Sequence, residues 1–212
     1  MQIRYLGHSC FEITSKAGKS IITDPYTKVG YELPKGLHAD VVTTSHAHFD
    51  HNYTQAIDCN LIINEAKSYC IDGIEIVGIE SYHDTERGAL RGKNIIYNIT
   101  IDGIVLCHMG DIGESCSQAL VEKIGKVDVL LIPVGGRYTV DALEAKEYID
   151  KINPKVVIPM HYKPHDGALD IAEIQPFLDI FEGQVITKVV VGSTEIDANT
   201  SGIIYMERVN QR

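Results

Sequence analysis

The sequence has no long apolar run. No stretch approaches the ~18 consecutive apolar residues that a membrane-spanning helix requires. Residues 1–8 also lack the charged-then-apolar order of a secretory signal peptide. These absences predict a protein without a membrane span that works in the cytoplasm.

Cysteine and basic side chains are also scarce. The five cysteines are odd in number and form no CxxC pair, so we expect reduced, mostly buried thiols rather than a disulfide framework. The 19 Lys and Arg residues against 29 Asp and Glu residues leave a net charge of −10. A general nucleic-acid binder needs a basic surface, which this chain does not offer overall. We therefore expect a small-molecule substrate and no nucleic-acid partner, and the sequence leaves homo-oligomerisation open.

The bulk composition is typical of a globular protein. With 212 residues, 44% of them hydrophobic and 23% charged, the chain suits a single domain over residues 1–212. Asp102-Gly103 is a strong two-residue hairpin signal. Periodicity predicts strands over 3–6, 10–14, 20–23, 41–44, 61–63, 74–79, 94–101, 104–109, 127–133, 155–159, 187–191 and 203–206, and helices over 116–124, 140–152 and 168–181, with Pro176 interrupting the last. This order predicts an α/β (α+β) fold of two sheets that helices cover on their outer faces.

The most informative segment is a run of metal-ligand side chains. His46, His48, Asp50 and His51 stand at i, i+2, i+4 and i+5, shortly after the apolar, β-branched stretch at residues 40–44. Imidazole and carboxylate are ligands that zinc, manganese and iron share. A loop beyond a strand end can turn four such side chains to one side. A histidine-rich surface loop is the alternative, but chance rarely places Asp among three His at this spacing.

Three further strands end in a candidate ligand. His83, Asp111 and His161 each lie just beyond the carboxyl end of a predicted strand, which is where layered folds place their sites. A lone His is more often structural, but four strand ends that all carry His or Asp favour a shared site. With the first four residues they make seven candidate ligands, too many for one tetrahedral ion. We therefore expect two divalent transition-metal ions, with zinc first and manganese or iron as alternatives.

The HxHxDH motif at residues 46–51 resembles the signature of the metallo-β-lactamase superfamily of metal-dependent hydrolases. The resemblance runs along essentially the whole chain. Within the superfamily, the chain most resembles the branch that contains ascorbate-6-phosphate lactonase and N-acyl phosphatidylethanolamine phospholipase D. The segments that carry this likeness are 23–25, 109–113, 133–136 and 158–162. The resemblance implies a four-layer αββα sandwich, in agreement with the predicted strands and helices.

The resemblance also implies a division of the seven residues between two ions. It implies that the first ion is held by His46, His48 and His83, and the second by Asp50, His51 and His161, with Asp111 bridging, so that Asp50 and Asp111 are the catalytic carboxylates. The third ligand lies in the Ser-Tyr-His-Asp segment 81–84 rather than in the Gly-His segment of the true lactamases. Antibiotic hydrolysis is therefore not expected.

Four further residues are candidates for supporting roles, namely His8, Asp24, His108 and Arg137. Asp24 could orient a ligating imidazole through its free N–H, although an Asp-Pro pair also forms turns. His8 and His108 could donate to a ligand or relay a proton, or be structural. Arg137 could bind a phosphate or carboxylate bidentately, or simply be exposed. The basic loop 85–94 could close over an anionic group, and an ordinary hairpin is the favoured interpretation.

The ligand set predicts hydrolysis. Two ions about 3.5–4 Å apart can share a hydroxide, bring its pKa toward ~7 and stabilise a developing oxyanion, and the chain has no GxSxG nucleophile elbow. We expect a hydrolase that acts on an ester, lactone or phosphodiester bond of a small anionic metabolite, with Arg91, Lys93 and Arg137 as anion contacts. The alternative is an iron-dependent oxidoreductase, although 212 residues leave no room for a flavin domain. A nuclease would need a basic surface, and a non-catalytic binding module would leave the ligand set unexplained.

Overall fold

The computed structural model describes residues 1–183 and 187–208. Its strands are β1 (Gln2–Gly7), β2 (Cys10–Thr14), β3 (Ser20–Thr23), β4 (Leu37–Thr43), β5 (Ile57–Ile63), β6 (Ser68–Ile71), β7 (Ile74–Tyr82), β8 (Lys93–Ile101), β9 (Ile104–His108), β10 (Val129–Pro133), β11 (Val156–Met160), β12 (Thr187–Val191), β13 (Ser193–Glu195) and β14 (Gly202–Glu207). Six of them form a first sheet in the order β13-β1-β2-β3-β4-β5. The other eight form a second sheet in the order β12-β14-β11-β10-β9-β8-β7-β6.

Both sheets are mixed. In the first sheet, β1, β2 and β3 form an antiparallel meander, and β3, β4 and β5 run parallel. In the second, β6 to β9 are antiparallel neighbours, whereas β9, β10, β11, β14 and β12 pair in parallel. The β8–β9 hairpin turns at Asp102 and Gly103, which both have positive φ as a type I′ turn requires. The hairpin that this dipeptide predicts is confirmed.

Alternate side chains of the first sheet pack in two different cores. Ile21 lies in the core between the sheets, whereas its neighbour Ile22 faces the outside of the sandwich. There Ile22 packs with Tyr26 and Val29 from the loop that follows β3. That loop and the segment around the 3₁₀ helix Thr54–Ala56 therefore cover the first sheet in place of a long helix.

Three helices cover the second sheet, and their ends follow from local sequence. They are α1 (Gln118–Ile124), α2 (Ala142–Ile152) and α3 (Gln175–Ile180); α1 contacts β7, α2 contacts β10, and the three pack in sequence. The Ser117 side chain caps the first turn of α1, and Asp141 begins α2 with a capping box. The buried faces of α1 and α2 join the same core as the strands.

The predicted helix over 168–181 is wrong in its first half. Only Gln175–Ile180 is helical, and Pro176 lies in its first turn, where a missing N–H costs nothing, rather than interrupting it. The residues before it have other backbone partners, since Ala172 N donates to Gly135 O. This extended segment is therefore held against the loop that follows β10.

The predicted α/β sandwich of two sheets is confirmed, with helices on the second sheet and a loop with a 3₁₀ helix on the first. Its strand ends position the candidate ligands. The short edge strands β6 and β13 were not predicted from the sequence. None of the helices in the described ranges is long and apolar enough to cross a membrane. The carboxyl ends of β4, β7, β9 and β11 lead into the loops that carry the seven predicted ligands.

Candidate metal centre

The loop after β4 carries the HxHxDH motif. Its backbone forms a turn in which His51 N donates to His48 O at 3.0 Å. His51 is buried, His46 and Asp50 are partly buried, and His48 is exposed. The motif thus spans the distance from the protein interior to the surface.

One carboxylate oxygen lies at the centre of the candidate ligands. Asp111 Oδ2 is 3.1 Å from Nε2 of His51, 3.3 Å from Nε2 of both His83 and His161, and 3.8 Å from Nε2 of His46. Ligand atoms around a tetrahedral zinc lie about 3.3 Å apart, because each bond is about 2.0–2.1 Å long. The Asp111 oxygen therefore has the spacing of a ligand shared between neighbouring ions.

The candidate ligand atoms form two groups that meet at Asp111. The first group is His46, His48 and His83, and the second group is His8, Asp50, His51 and His161; within each, the ligand atoms lie within 4.8 Å of one another. A third set of the same compactness joins them and consists of His46, His51 and Asp111. The structure brings together all seven residues that the sequence predicts as ligands, and it adds His8.

Several buried polar atoms in these groups lack a hydrogen-bond partner. They include Nε2 of His8, His46 and His51 and Oδ1 of Asp111. Buried polar atoms are nearly always paired, because an unpaired one costs about 1–3 kcal/mol. Bound cations would satisfy these lone pairs, so the donor set fits divalent ions that favour imidazole and carboxylate.

Burial keeps the His46 imidazole neutral. It lowers the pKa of His46 to about 3. Neutral imidazole is the form that binds a metal. Burial also opposes a charge on His51, but Asp111 and Asp24 outweigh it and raise its pKa.

Asp24 contacts both groups, directly and through a serine. Its carboxylate accepts from His51 Nδ1 at 2.8 Å and from Ser45 Oγ at 2.6 Å. Because the Ser45 hydroxyl donates to Asp24, it can accept from His46 Nδ1, which is 2.9 Å away. Both imidazoles can therefore offer Nε2 to the centre. Asp24 was among the predicted residues, whereas Ser45 was missed because a serine beside a strand end carries no signal of its own.

Asn94 holds the segment that carries Asp111 and was also missed. Its Oδ1 accepts from Asp111 N at 2.9 Å, and its Nδ2 donates to Met109 O at 2.9 Å. Gly110 lies between them with a φ of +56°, and a Cβ there would collide with Asn94 Oδ1. The Met-Gly-Asp sequence after β9 is therefore fixed by one amide from β8.

The two histidines predicted as supporting residues have different surroundings. His108 Nε2 donates to Ser9 O at 2.8 Å, and its Nδ1 accepts from Gly110 N at 3.3 Å. Both ring nitrogens of His108 thus bind backbone groups, and the residue belongs to neither ligand group. His8 Nε2 instead faces Asp50 Oδ2 at 3.5 Å.

The loop after β10 packs directly against the centre. A Cβ on Gly135 would collide with His161 O, so the backbone approaches that ligand closely. Further along the loop, Val140 N donates to Ile112 O, one residue beyond Asp111. The predicted Arg137 therefore lies on a segment tied at both ends to residues beside the candidate ligands.

Two guanidinium groups gather around a tyrosine on this loop. Those of Arg137 and Arg91 lie 5.5 Å and 5.4 Å from the centre of the Tyr138 ring, within cation–π distance. Arg137 also pairs with Asp170. Lys93, the third predicted cation, instead forms an exposed ion pair on the β7–β8 hairpin. The structure thus brings two of the three predicted cations together.

Comparison with known proteins extends these observations. A family model described as the β-lactamase superfamily domain matches residues 2–161. A UPF0173 metal-dependent hydrolase from Methanospirillum hungatei is 30% identical over 193 residues, which cover 78% of this chain and 84% of the relative.

Solved structures share the fold. A Thermotoga maritima protein, described as a candidate Zn-dependent hydrolase of the metallo-β-lactamase superfamily, is 36% identical, with a TM-score of 0.81 over 98% of this chain and 99% of that chain. CmlA, a diiron β-hydroxylase from Streptomyces venezuelae, is 15% identical, with a TM-score of 0.58 over 76% of this chain and 44% of that chain. At that identity the second likeness is one of fold alone.

Proposed function

The chain belongs to the β-lactamase superfamily domain family, and on that premise we propose that it hydrolyses its substrate with two metal ions. It is a metal-dependent hydrolase of the metallo-β-lactamase superfamily, like the relatives that share its sequence and fold. The observation that supports two ions is the position of Asp111 Oδ2, which lies 3.1–3.8 Å from imidazoles of both ligand groups.

The proposed assignment follows the two groups. The first ion is held by His46, His48 and His83, the second by Asp50, His51 and His161, and Asp111 bridges them. Zinc is the first candidate, because the Thermotoga maritima relative is described as Zn-dependent and imidazole-rich sites suit zinc. Manganese and iron accept the same ligands.

The chemistry that we propose follows from this ligand set. When bound, the two ions would supply Lewis acidity and a shared water whose pKa falls toward about 7. Asp50 and Asp111 place two negative charges among the imidazoles and limit the positive charge of the centre. Asp24 holds His51 directly and His46 through Ser45. Both rings therefore keep their orientation while negative charge develops on the substrate.

The substrate class that we propose is a small anionic ester, lactone or phosphodiester. Its support is the pair of guanidinium groups around Tyr138, since arginine binds carboxylate and phosphate bidentately. Replacement of Arg91 or Arg137 by Ala should raise KM for an anionic substrate several-fold and leave KM for a neutral analogue unchanged. Lys151→Ala is the control, because its ammonium pairs with Glu147 on the exposed face of α2. An equal effect on both substrates would contradict the anion contact.

Metal content tests the two-ion assignment. Protein purified without chelator should contain close to two transition-metal equivalents by elemental analysis. Combined replacement of His48 and Asp111 by Ala should remove most of this metal, because one residue belongs to the first group and the other bridges. A fully metallated double variant would contradict the assignment.

Turnover in oxygen-18 water tests the reaction class. A panel of phosphodiester, lactone and thioester substrates should reveal an activity that places one labelled oxygen in the product without a trapped covalent intermediate. The rate should rise with pH and then level off. Oxygen consumption would instead favour iron-dependent oxidation, the chemistry of the diiron β-hydroxylase that shares only the fold.

A further inference from the structure

His8 lies in the two-residue turn between β1 and β2, and its backbone is fixed. Its φ is +55°, in the left-handed region that few side chains other than glycine and asparagine adopt readily. The carbonyl of His8 accepts from Tyr5 Oη and from His161 N, both at 3.0 Å. The next carbonyl, Ser9 O, accepts from His108 Nε2 at 2.8 Å. The turn therefore holds the His8 ring in one place beside a proposed ligand.

The ring nitrogen of His8 meets the second ligand group. His8 is 1% exposed, and its Nε2 has no hydrogen-bond partner. Among the described residues, the other buried Nε2 atoms without a partner belong to His46 and His51, which are both proposed ligands. The ligand atom of His8 lies within 4.8 Å of those of Asp50, His51 and His161.

A hydrogen bond with Asp50 does not account for this ring. Its Nε2 lies 3.5 Å from Asp50 Oδ2, which is longer than an effective N–H···O bond. The same separation suits two ligands that share one ion at bond lengths of about 2.0–2.2 Å each.

We propose that His8 is a further protein ligand of the second ion, which it would bind through Nε2 together with Asp50, His51 and His161. This inference rests on the two-ion centre proposed above and goes beyond it, because neither the HxHxDH motif nor the three later strand ends include the β1–β2 turn. The second ion then has three imidazoles and two carboxylates, counting the shared Asp111. The first ion keeps three imidazoles, of which His48 is exposed.

A metal-binding difference between the two sites follows. The second site surrounds its ion with three buried imidazoles, whereas the first includes the exposed His48 and leaves a side open to water. The second site should therefore fill first when metal-free protein is titrated with Co²⁺. X-ray absorption is measured in a His48→Ala background, which weakens the first site, and with one equivalent bound it should count three imidazoles on the cobalt when His8 is present.

The test compares His8→Ala and His8→Gln with the wild-type protein. A Gln amide reaches about as far as Nε2 and can donate to Asp50, but it is a poor ligand for transition metals. If His8 is a ligand, both variants should bind the first Co²⁺ equivalent about 100-fold more weakly or worse, beyond the usual loss when only a residue behind a ligand is removed. X-ray absorption should count one imidazole fewer. His38→Ala, which removes an exposed imidazole on β4, should match the wild type.

Each outcome decides the proposal. Wild-type metal affinity in His8→Gln together with loss in His8→Ala would assign His8 a donor role toward Asp50 and overturn the ligand role. Two bound ions in wild type and in both variants, with the same imidazole count, would overturn the His8 proposal while leaving the two-ion centre intact. Wild-type protein that binds no Co²⁺ would overturn both. If His8→Ala does not fold, as judged by circular dichroism, His8→Gln carries the comparison.

Discussion

The two ligand groups differ in how far water reaches them. His8, His51 and His161 of the second group are at most 1% exposed, whereas His48 of the first group is an exposed residue. Metal sites enclosed by protein ligands hold structural ions, and sites with an open position are those at which substrates react. If both proposed ions bind, we expect the buried group to retain its ion and the exposed group to admit the substrate.

The backbone explains this difference. In the second group, His161 N donates to His8 O, and both residues have left-handed φ angles of +53° and +55°. Such conformations in residues other than glycine persist only where the surrounding structure enforces them. His48 instead lies in the exposed part of the loop after β4. The buried half is thus fixed by main-chain contacts between the two sheets, and the open half depends on a surface loop.

The largest effect is expected from replacing Asp111, the residue that both ligand groups share. Asp111→Asn should remove both ions and lower turnover by more than about 100-fold, because a ligand common to both groups must matter more than residues behind ligands, which cost about 10–100-fold. Elemental analysis and initial rates measure this. Asp58→Asn, whose side chain is 90% exposed, is the control. Two retained equivalents in Asp111→Asn would show that the carboxylate does not join the sites.

Removal of one ligand from each group should separate the halves. His161→Ala should lose the tightly held ion and His48→Ala the weakly held one, so that each variant retains about one equivalent. Titration with Co²⁺ should then show only weak binding in His161→Ala and only tight binding in His48→Ala. Identical titration curves for the two variants would mean that burial does not set the affinity.

A smaller effect should distinguish the residues behind the ligands. Asp24→Asn should weaken both binding steps by about 10–100-fold, because the carboxylate positions His51 directly and His46 through Ser45. Ser45→Ala should weaken only the step that belongs to the first group, since the bond between Asp24 and His51 remains. Sequential metal titration resolves the two steps. Weaker metal binding in both steps for Ser45→Ala would mean that the serine supports both ligand groups.

The smallest effect on metal binding should come from loosening the loop of residues 84–91, which follows His83 of the first ligand group. The Asp84 carboxylate accepts four backbone N–H groups of residues 86, 88, 90 and 91 at 2.7–3.0 Å. Asp84→Asn keeps one acceptor oxygen and should loosen this loop, raising KM several-fold and speeding its cleavage by protease, with metal content unchanged. Asp72→Asn, on the exposed β6–β7 turn, is the control. Loss of a metal equivalent in Asp84→Asn would mean that the loop also holds His83.

The candidate ligands could be predicted because their chemistry is local. A motif such as residues 46–51 has few structural explanations, and His83, Asp111 and His161 follow strands whose ends meet at one edge. Ser45 and Asn94 act through hydrogen bonds to residues at the end of a neighbouring strand in the same sheet, and a lone serine or asparagine carries no pattern that predicts such a bond. The sequence did name His8 as a supporting residue, but its contact with the His161 segment forms only after the two sheets pack.

The fold shows the same division between local and distant causes. Alternating apolar residues identified most strands, but β6 and β13 are short and lie at sheet edges, where alternation is weak. The helix prediction over 168–174 failed because apolar spacing competes with distant partners, and the bond from Ala172 N to Gly135 O replaces a helical one. The outer layer of the first sheet could not be foreseen, since a loop rich in tyrosine buries Ile22 as well as a helix would.

The shared position of Asp111 has a consequence for how the chain folds. The motif loop and the β1–β2 turn belong to the first sheet, whereas His83, Asp111 and His161 follow strands of the second. Ions bound between them would cross-link segments that are far apart along the chain. In the unfolded chain, such a cross-link costs the entropy of closing a long loop. Contacts of such high sequence separation form late in folding. Metal uptake should therefore follow the docking of the two sheets, and for the ion of the buried second group the rate of loss should be limited by the rate at which the sheets separate.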